Sequence, residues 1–238
     1  MRRTIVMTGA IALLGLVPAA AAATTTDSAS DHAALTAYDQ YLHNVVSSVP
    51  AWRRDNEAFV ASVSTGCGHV LAGLSRAPSG TVDQTALFNF GVEIGGDLAV
   101  VGAKADRAPL AKLTRAVAPL TWSNPESGAI VRRFAAAQRR LFNLAPSHLC
   151  DDARALAASD GAQTPPGTTR FLDRFVGDTT AATKWQSALG TMLRQFESPA
   201  DSGLVHDIAN LDRRLSARID AASTPEVRKI VSVLGLSD

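Results

Sequence analysis

The sequence predicts an all-α fold, a bundle of about seven to nine helices held by one disulfide. Three observations carry that prediction. After residue 30 nearly every segment repeats its apolar residues at three- and four-residue spacing, which is helical periodicity. No stretch shows the period-two alternation of a half-buried strand. Prolines and glycine-containing turns punctuate the chain at helix-length intervals.

The elements follow in chain order. Met1-Arg2-Arg3, an apolar run from Ile5 to Val17, Pro18 and five alanines to Ala23 have the layout of a secretory signal peptide, with cleavage expected after Ala23 or Ala21. Residues 24–30 then read as a polar tether, and residues 31–238 as one helical domain. Its first helix is expected over Asp31–Val49, with Leu35, Tyr38, Leu42 and Val45 or Val46 on one face. Pro50 is expected to open a second helix, Ala51–Arg76, since a first helical turn tolerates proline. Gly66-Cys67-Gly68 should kink it, because glycine weakens a helix interior by about 1 kcal/mol.

Thr81 and Gln84 resemble a capping box before a third helix, Val82–Ala105. There Leu87, Phe90, Ile94, Leu98 and Val101 form an apolar stripe beside the small-residue stripe Gly91, Gly95, Ala99 and Ala103. Glu93 and Asp97 within it argue against a membrane span in the mature chain. Helices are expected over Pro109–Thr121 and Pro125–Ala145, and from Pro146 to Ala158. The turn-rich stretch 159–168 separates these from helices at Thr169–Val176, Thr179–Glu197 and Leu204–Ile219, with a last one starting at Thr224-Pro225 and ending at Leu236.

Composition excludes several classes of function. With 46% hydrophobic and 19% charged residues the chain has enough apolar surface to offset the entropy of ordering. A formal charge of +1 becomes about −1 once Arg2 and Arg3 leave with the signal peptide. Neither value steers a polyanion, so nucleic acid is not an expected partner. No cofactor-binding or catalytic signature occurs: no G-x-S-x-G, H-E-x-x-H, P-loop, G-x-G-x-x-G or C-x-x-C-H.

The residues that could carry chemistry are few. Cys67 and Cys150 are the only cysteines, and in an exported chain they are expected to pair. Such a bridge would stabilise the fold by ~4 kcal/mol in the chain-entropy model. Cys67-Gly-His69 and His148-Leu-Cys150 also offer the alternative of a Cys2His2 zinc site. Against that, residues two apart point to opposite sides of a helix. Glu93 and Asp97, four apart, could serve acid/base or ligand-binding chemistry. They share a strip with Asn89 and Lys104, however, which favours a solvated edge. Arg132, Arg133, Arg139 and Arg140 could bind an anionic envelope component or pair with acidic residues of neighbouring helices. If the bundle enclosed a haem, His69, His148 or His43 would be its axial ligand.

Cys150-Asp-Asp-Ala-Arg-Ala-Leu-Ala-Ala-Ser159 followed by Pro166-Gly-Thr-Thr-Arg-Phe-Leu172 resembles an arrangement found in secreted helical proteins of high-GC actinobacteria. There a cysteine opens a helix and a proline-led turn begins the next. A tryptophan expected after the cysteine is missing, Leu156 and Ala157 standing in its place. The resemblance implies export and a helical fold, and it assigns no activity.

The function expected from these observations is that of an exported, non-enzymatic binding or structural protein of the cell envelope or exterior. A carrier of a hydrophobic ligand or haem in the bundle core is the alternative, and a secreted enzyme without a recognisable motif comes third.

Overall fold

A computed structural model describes residues 29–78, 80–194 and 202–233. The expected signal peptide lies outside them, as does the tether up to residue 28. All regular structure among the described residues is helical: α1 (Ala29–Ser75), α2 (Gln84–Ala103), α3 (Arg107–Val117), α4 (Pro125–Asn143), α5 (Leu149–Ala158), α6 (Pro166–Arg194) and α7 (Ser202–Val233). A short 3-10 turn, Lys104–Asp106, joins α2 to α3.

The all-α expectation holds, but the sequence reading cuts the chain too finely. The first two expected helices are one, α1, which runs through Pro50. A proline removes one backbone hydrogen bond and crowds the preceding turn. Here both flanks are held by side chains. Ser48 Oγ bonds to the Val45 carbonyl at 2.7 Å and also to Asp106, and Trp52 is buried. The segments expected at 169–176 and 179–197 likewise join into α6 across Gly177, and α7 continues through Pro225. The ends of two expected helices, 195–197 and 234–236, lie outside the described residues.

The local signals at helix ends fare better. Cys67 leaves helical geometry (φ −150°, ψ 16°) inside α1, at the Gly66-Cys67-Gly68 weak point. Asn124 caps α4 by accepting from the Glu126 N–H, with Pro125 at the first helical position. The α2 cap is Asp83 rather than Thr81. Its carboxylate accepts from the Thr85 and Ala86 amides, while the Thr81 hydroxyl turns back to the Pro78 carbonyl.

Two apolar clusters fill the bundle. The larger joins the first half of α1 to α3, α4, α6 and α7 through Leu35, Tyr38, Leu42, Phe134, Leu189 and Ile208, among others. The smaller joins the second half of α1 to α2 and α5 through Val63, Cys67, Phe90, Ile94, Leu149 and Leu156. Helix α2 belongs to both, since Val100 and Ala103 face the larger cluster. A stretch that includes it, Gln84–Val117, is long and apolar enough to cross a membrane, and 67% of its apolar 18-residue window is buried inside the bundle.

Small residues let the neighbours of α2 reach its backbone. A Cβ added to Gly102 would lie 2.5 Å from the Trp52 indole, and one added to Gly96 would lie 2.7 Å from the Phe171 ring. Gly102→Ala is therefore expected to destabilise by about 1–3 kcal/mol through overpacking. The same change in an exposed helix would gain about 1 kcal/mol. Urea denaturation checks the sign, and a stabilised variant would mean that the indole moves aside freely.

Candidate functional site

Where α2 meets the beginnings of α5 and α6, three carboxylates come together out of reach of solvent. Glu93 and Asp97 are both 0% exposed and Asp152 is 7% exposed. The solvated edge expected for Glu93 and Asp97 is thus corrected. Their strip of α2 is the one covered by α5 and α6, and a helical wheel drawn for one helix does not show what its neighbours cover.

Each partner is set by local structure. Pro146 and the turn after it carry Ser147 past α2, so that its backbone N–H donates to Asp97 Oδ1 at 2.6 Å and its hydroxyl to Oδ2. Asp152 lies in the first turn of α5, where a negative charge is favoured by the helix dipole. Thr168 lies in the first turn of α6, is fully buried and donates its hydroxyl to Glu93 Oε2. Gly167, beside it, makes room for Asp152, because a Cβ there would stand 2.3 Å from Asp152 Oδ1. Two further ties hold the α5–α6 loop to the start of α2. The Asp83 N–H bonds to the Gly161 carbonyl at 2.8 Å, and Asn89 Nδ2 to Thr164 Oγ1 at 3.1 Å.

The electrostatics follow from burial, which disfavours the charged form of a carboxyl. Burial drives Glu93 up to about 8, against the nearby Ser147 and Thr168 hydroxyls, with Asp152 pushing in the same direction as burial. Burial likewise raises Asp97 to about 6, the bonds from Ser147 holding it back. Two carboxyls elsewhere behave similarly: burial raises Asp106, beside Ser48, and Asp212, near Arg194, each to about 6.

Chemically, this is a set of buried acids that can hold or release protons. Glu93 and Asp97 lie where α2 is covered by α5 and α6, both fully buried. Among the described residues no group of His, Cys, Asp and Glu is placed to hold a metal ion.

The other nominated residues divide. Cys67 and Cys150 are joined, with Cα atoms 5.4 Å apart, which leaves no thiolates for a Cys2His2 zinc site. Arg154 reinforces the bridge by donating to the Gly66 carbonyl at 2.9 Å. His69 and His148, nominated as ligands, are exposed and outside the apolar clusters, as is His43. None of the three projects into the core as a haem ligand would. A crevice bordered by Tyr38, Leu193, Ile208 and Asp212 encloses about 10 Å³, room for about one water.

Of the four arginines on α4, Arg140 pairs with Asp178 at 3.1 Å and Arg133 lies over the Trp185 ring at 4.8 Å, both contacts to α6. Arg132 and Arg139 are exposed. The sequence reading missed Asp152, Ser147 and Thr168. The only signal it held was the acid pair Asp151-Asp152 in the first turn of α5, and Asp151 carries the same signal while facing out to Arg154.

No protein-family model, curated protein or solved structure matches this chain.

Proposed function

We propose that this is an exported helical protein that acts by binding or as a structural element at the cell envelope or exterior, without catalysis. The observation that carries this reading is the Cys67–Cys150 bridge, since disulfides form and persist in oxidising compartments. The N-terminal segment with its basic head, apolar run and alanine end supports the same route. A non-catalytic role is favoured because the raised carboxyls Glu93 and Asp97 are fully buried. An anionic component of the envelope is the partner that suits the exposed Arg132 and Arg139 on α4.

The test is an intact mass of the protein recovered from the producer's culture fluid, with alkylation of free thiols alongside. The expected result is the chain cleaved near Ala23, lighter by two hydrogens and without an alkylated thiol. Retention of residues 1–23 in the cell fraction, or two alkylated thiols, would overturn the reading.

A further inference from the structure

Glu93 and Asp152 come from different helices and meet at the first turn of α6, where Glu93 accepts from the Thr168 hydroxyl and Asp152 packs against the neighbouring Gly167. Each keeps one carboxyl oxygen, Glu93 Oε1 and Asp152 Oδ2, buried and without a partner. A buried polar atom left unpaired is destabilising, and two such atoms on adjacent acids are both satisfied by a single proton between them. We propose that Glu93 and Asp152 form a one-proton binding site that latches the first turns of α5 and α6 onto α2, and that losing the proton in mildly alkaline medium releases the latch.

The surroundings leave little other means of stabilising two charges. On α2 the titratable neighbour is Asp97, itself an acid and already engaged by Ser147. From the turn before α5 come Ser147 and His148. His148 is exposed and acts on Asp97, and it is the one group of this set able to carry positive charge. From α5 comes Asp152, and from α6 the neutral Thr168, which donates to Glu93 Oε2 rather than to the unpaired oxygen. In α1, Cys67 is bonded to Cys150 and does not titrate. With the proton gone, two like charges face one another in a low-dielectric seam. At the start of α6, Gly167 brings bare backbone against Asp152.

The direction with pH follows from linkage. Glu93 rises from 4.5 to about 8 on folding, so the folded chain holds the proton that the unfolded chain gives up. The stabilisation is complete below pH 4.5 and is lost as pH rises through 8. Asp97, Asp106 and Asp212 act in the same direction but finish near 6. Between pH 6.5 and 8 the loss therefore belongs to the Glu93 site, and one proton in linkage changes the folding constant about tenfold per pH unit there, levelling off above 8.

Glu93→Gln isolates the site, since its amide donates permanently towards Asp152 while its oxygen still accepts from Thr168. The urea midpoint of the full chain with its disulfide intact is measured from pH 6.5 to 9, together with hydrogen exchange of the first-turn amides of α5 and α6. The natural chain should lose stability and protection over this range while E93Q keeps both. An equal loss in E93Q, or a flat profile in the natural chain, would overturn the proposal. Should E93Q not fold, the carboxyl 13C shift of Glu93 in the unaltered chain decides. A turnover near 8 supports the site, and one at 4–5 removes it.

Discussion

Replacing Cys67 and Cys150 together by alanine is expected to lower the unfolding free energy by about 4–5 kcal/mol, one of the two largest effects foreseen for a small change in this chain. The bridge closes a loop with a sequence separation of 83, and constraining a loop of this length in the unfolded chain contributes about 4–5 kcal/mol in the entropy model. The native state adds a local reason. Cys67 is fully buried among Val63, Leu71 and Ile94 at the kink of α1, and Cys150 carries α5 against it. Much of a typical stability of about 5–15 kcal/mol would go with the bridge. Urea denaturation of the double variant beside the natural chain measures the difference. Hydrogen exchange should show α5 and the second half of α1 loosened first. A loss under about 1 kcal/mol would mean that the bridge constrains little.

Phe134→Ala is expected to cost about 3–5 kcal/mol, the range for truncating a buried aromatic. The Phe134 ring is fully buried and stands edge-on to Tyr38 at 6.4 Å and to Tyr41 at 6.1 Å. Such pairs add about 0.5–1.5 kcal/mol each beyond burial. These rings join α4 to the first half of α1, so the cavity would open where helices meet and could not be filled by one side chain turning. For a chain of this size each kcal/mol moves Tm by about 2–4 °C, and a drop of about 10 °C is expected by thermal denaturation. Tyr38→Phe keeps the ring geometry and should fall far less. If both variants lose equally, the Tyr38 hydroxyl rather than the ring contact is responsible.

How much of this was legible in the sequence differs from residue to residue, for physical reasons. The stripe Leu35, Tyr38, Leu42 and Val45 shows its buried face because apolar residues have one destination. Asn124-Pro125 marks a helix start because cap and proline act within one turn. The kink at Cys67 and its pairing with Cys150 were both expected, one from flanking glycines and the other from cysteine count. What failed depended on distant contacts. Pro50 carries the signal of a helix start, yet Ser48 and Trp52 hold the turns on either side of it to the bundle. Glu93 and Asp97 show a polar strip, and whether water or α5 and α6 cover it is decided by residues far along the chain. The arginines of α4 read as one patch, but Asp178 and Trp185 on α6 engage two of them at the surface.

The pairing of α1 with α7 bears on the order in which the molecule is assembled. Leu35, Tyr38 and Leu42, near the start, share their cluster with Ile208, Leu211 and Leu215, near the end. A chain emerging N-terminus first presents its earliest helix long before the helix that covers it. Closing so long a loop comes late in folding, because its entropy is lost before its contacts form. Until residues 202–233 arrive, the exposed face of α1 is a surface to which chaperones or other copies of the chain can adhere. The smaller cluster is complete by Ala158 and can form on its own schedule. The first half of α1 and α7 therefore close the structure last, as a clasp does, and the middle of the chain is where its order begins.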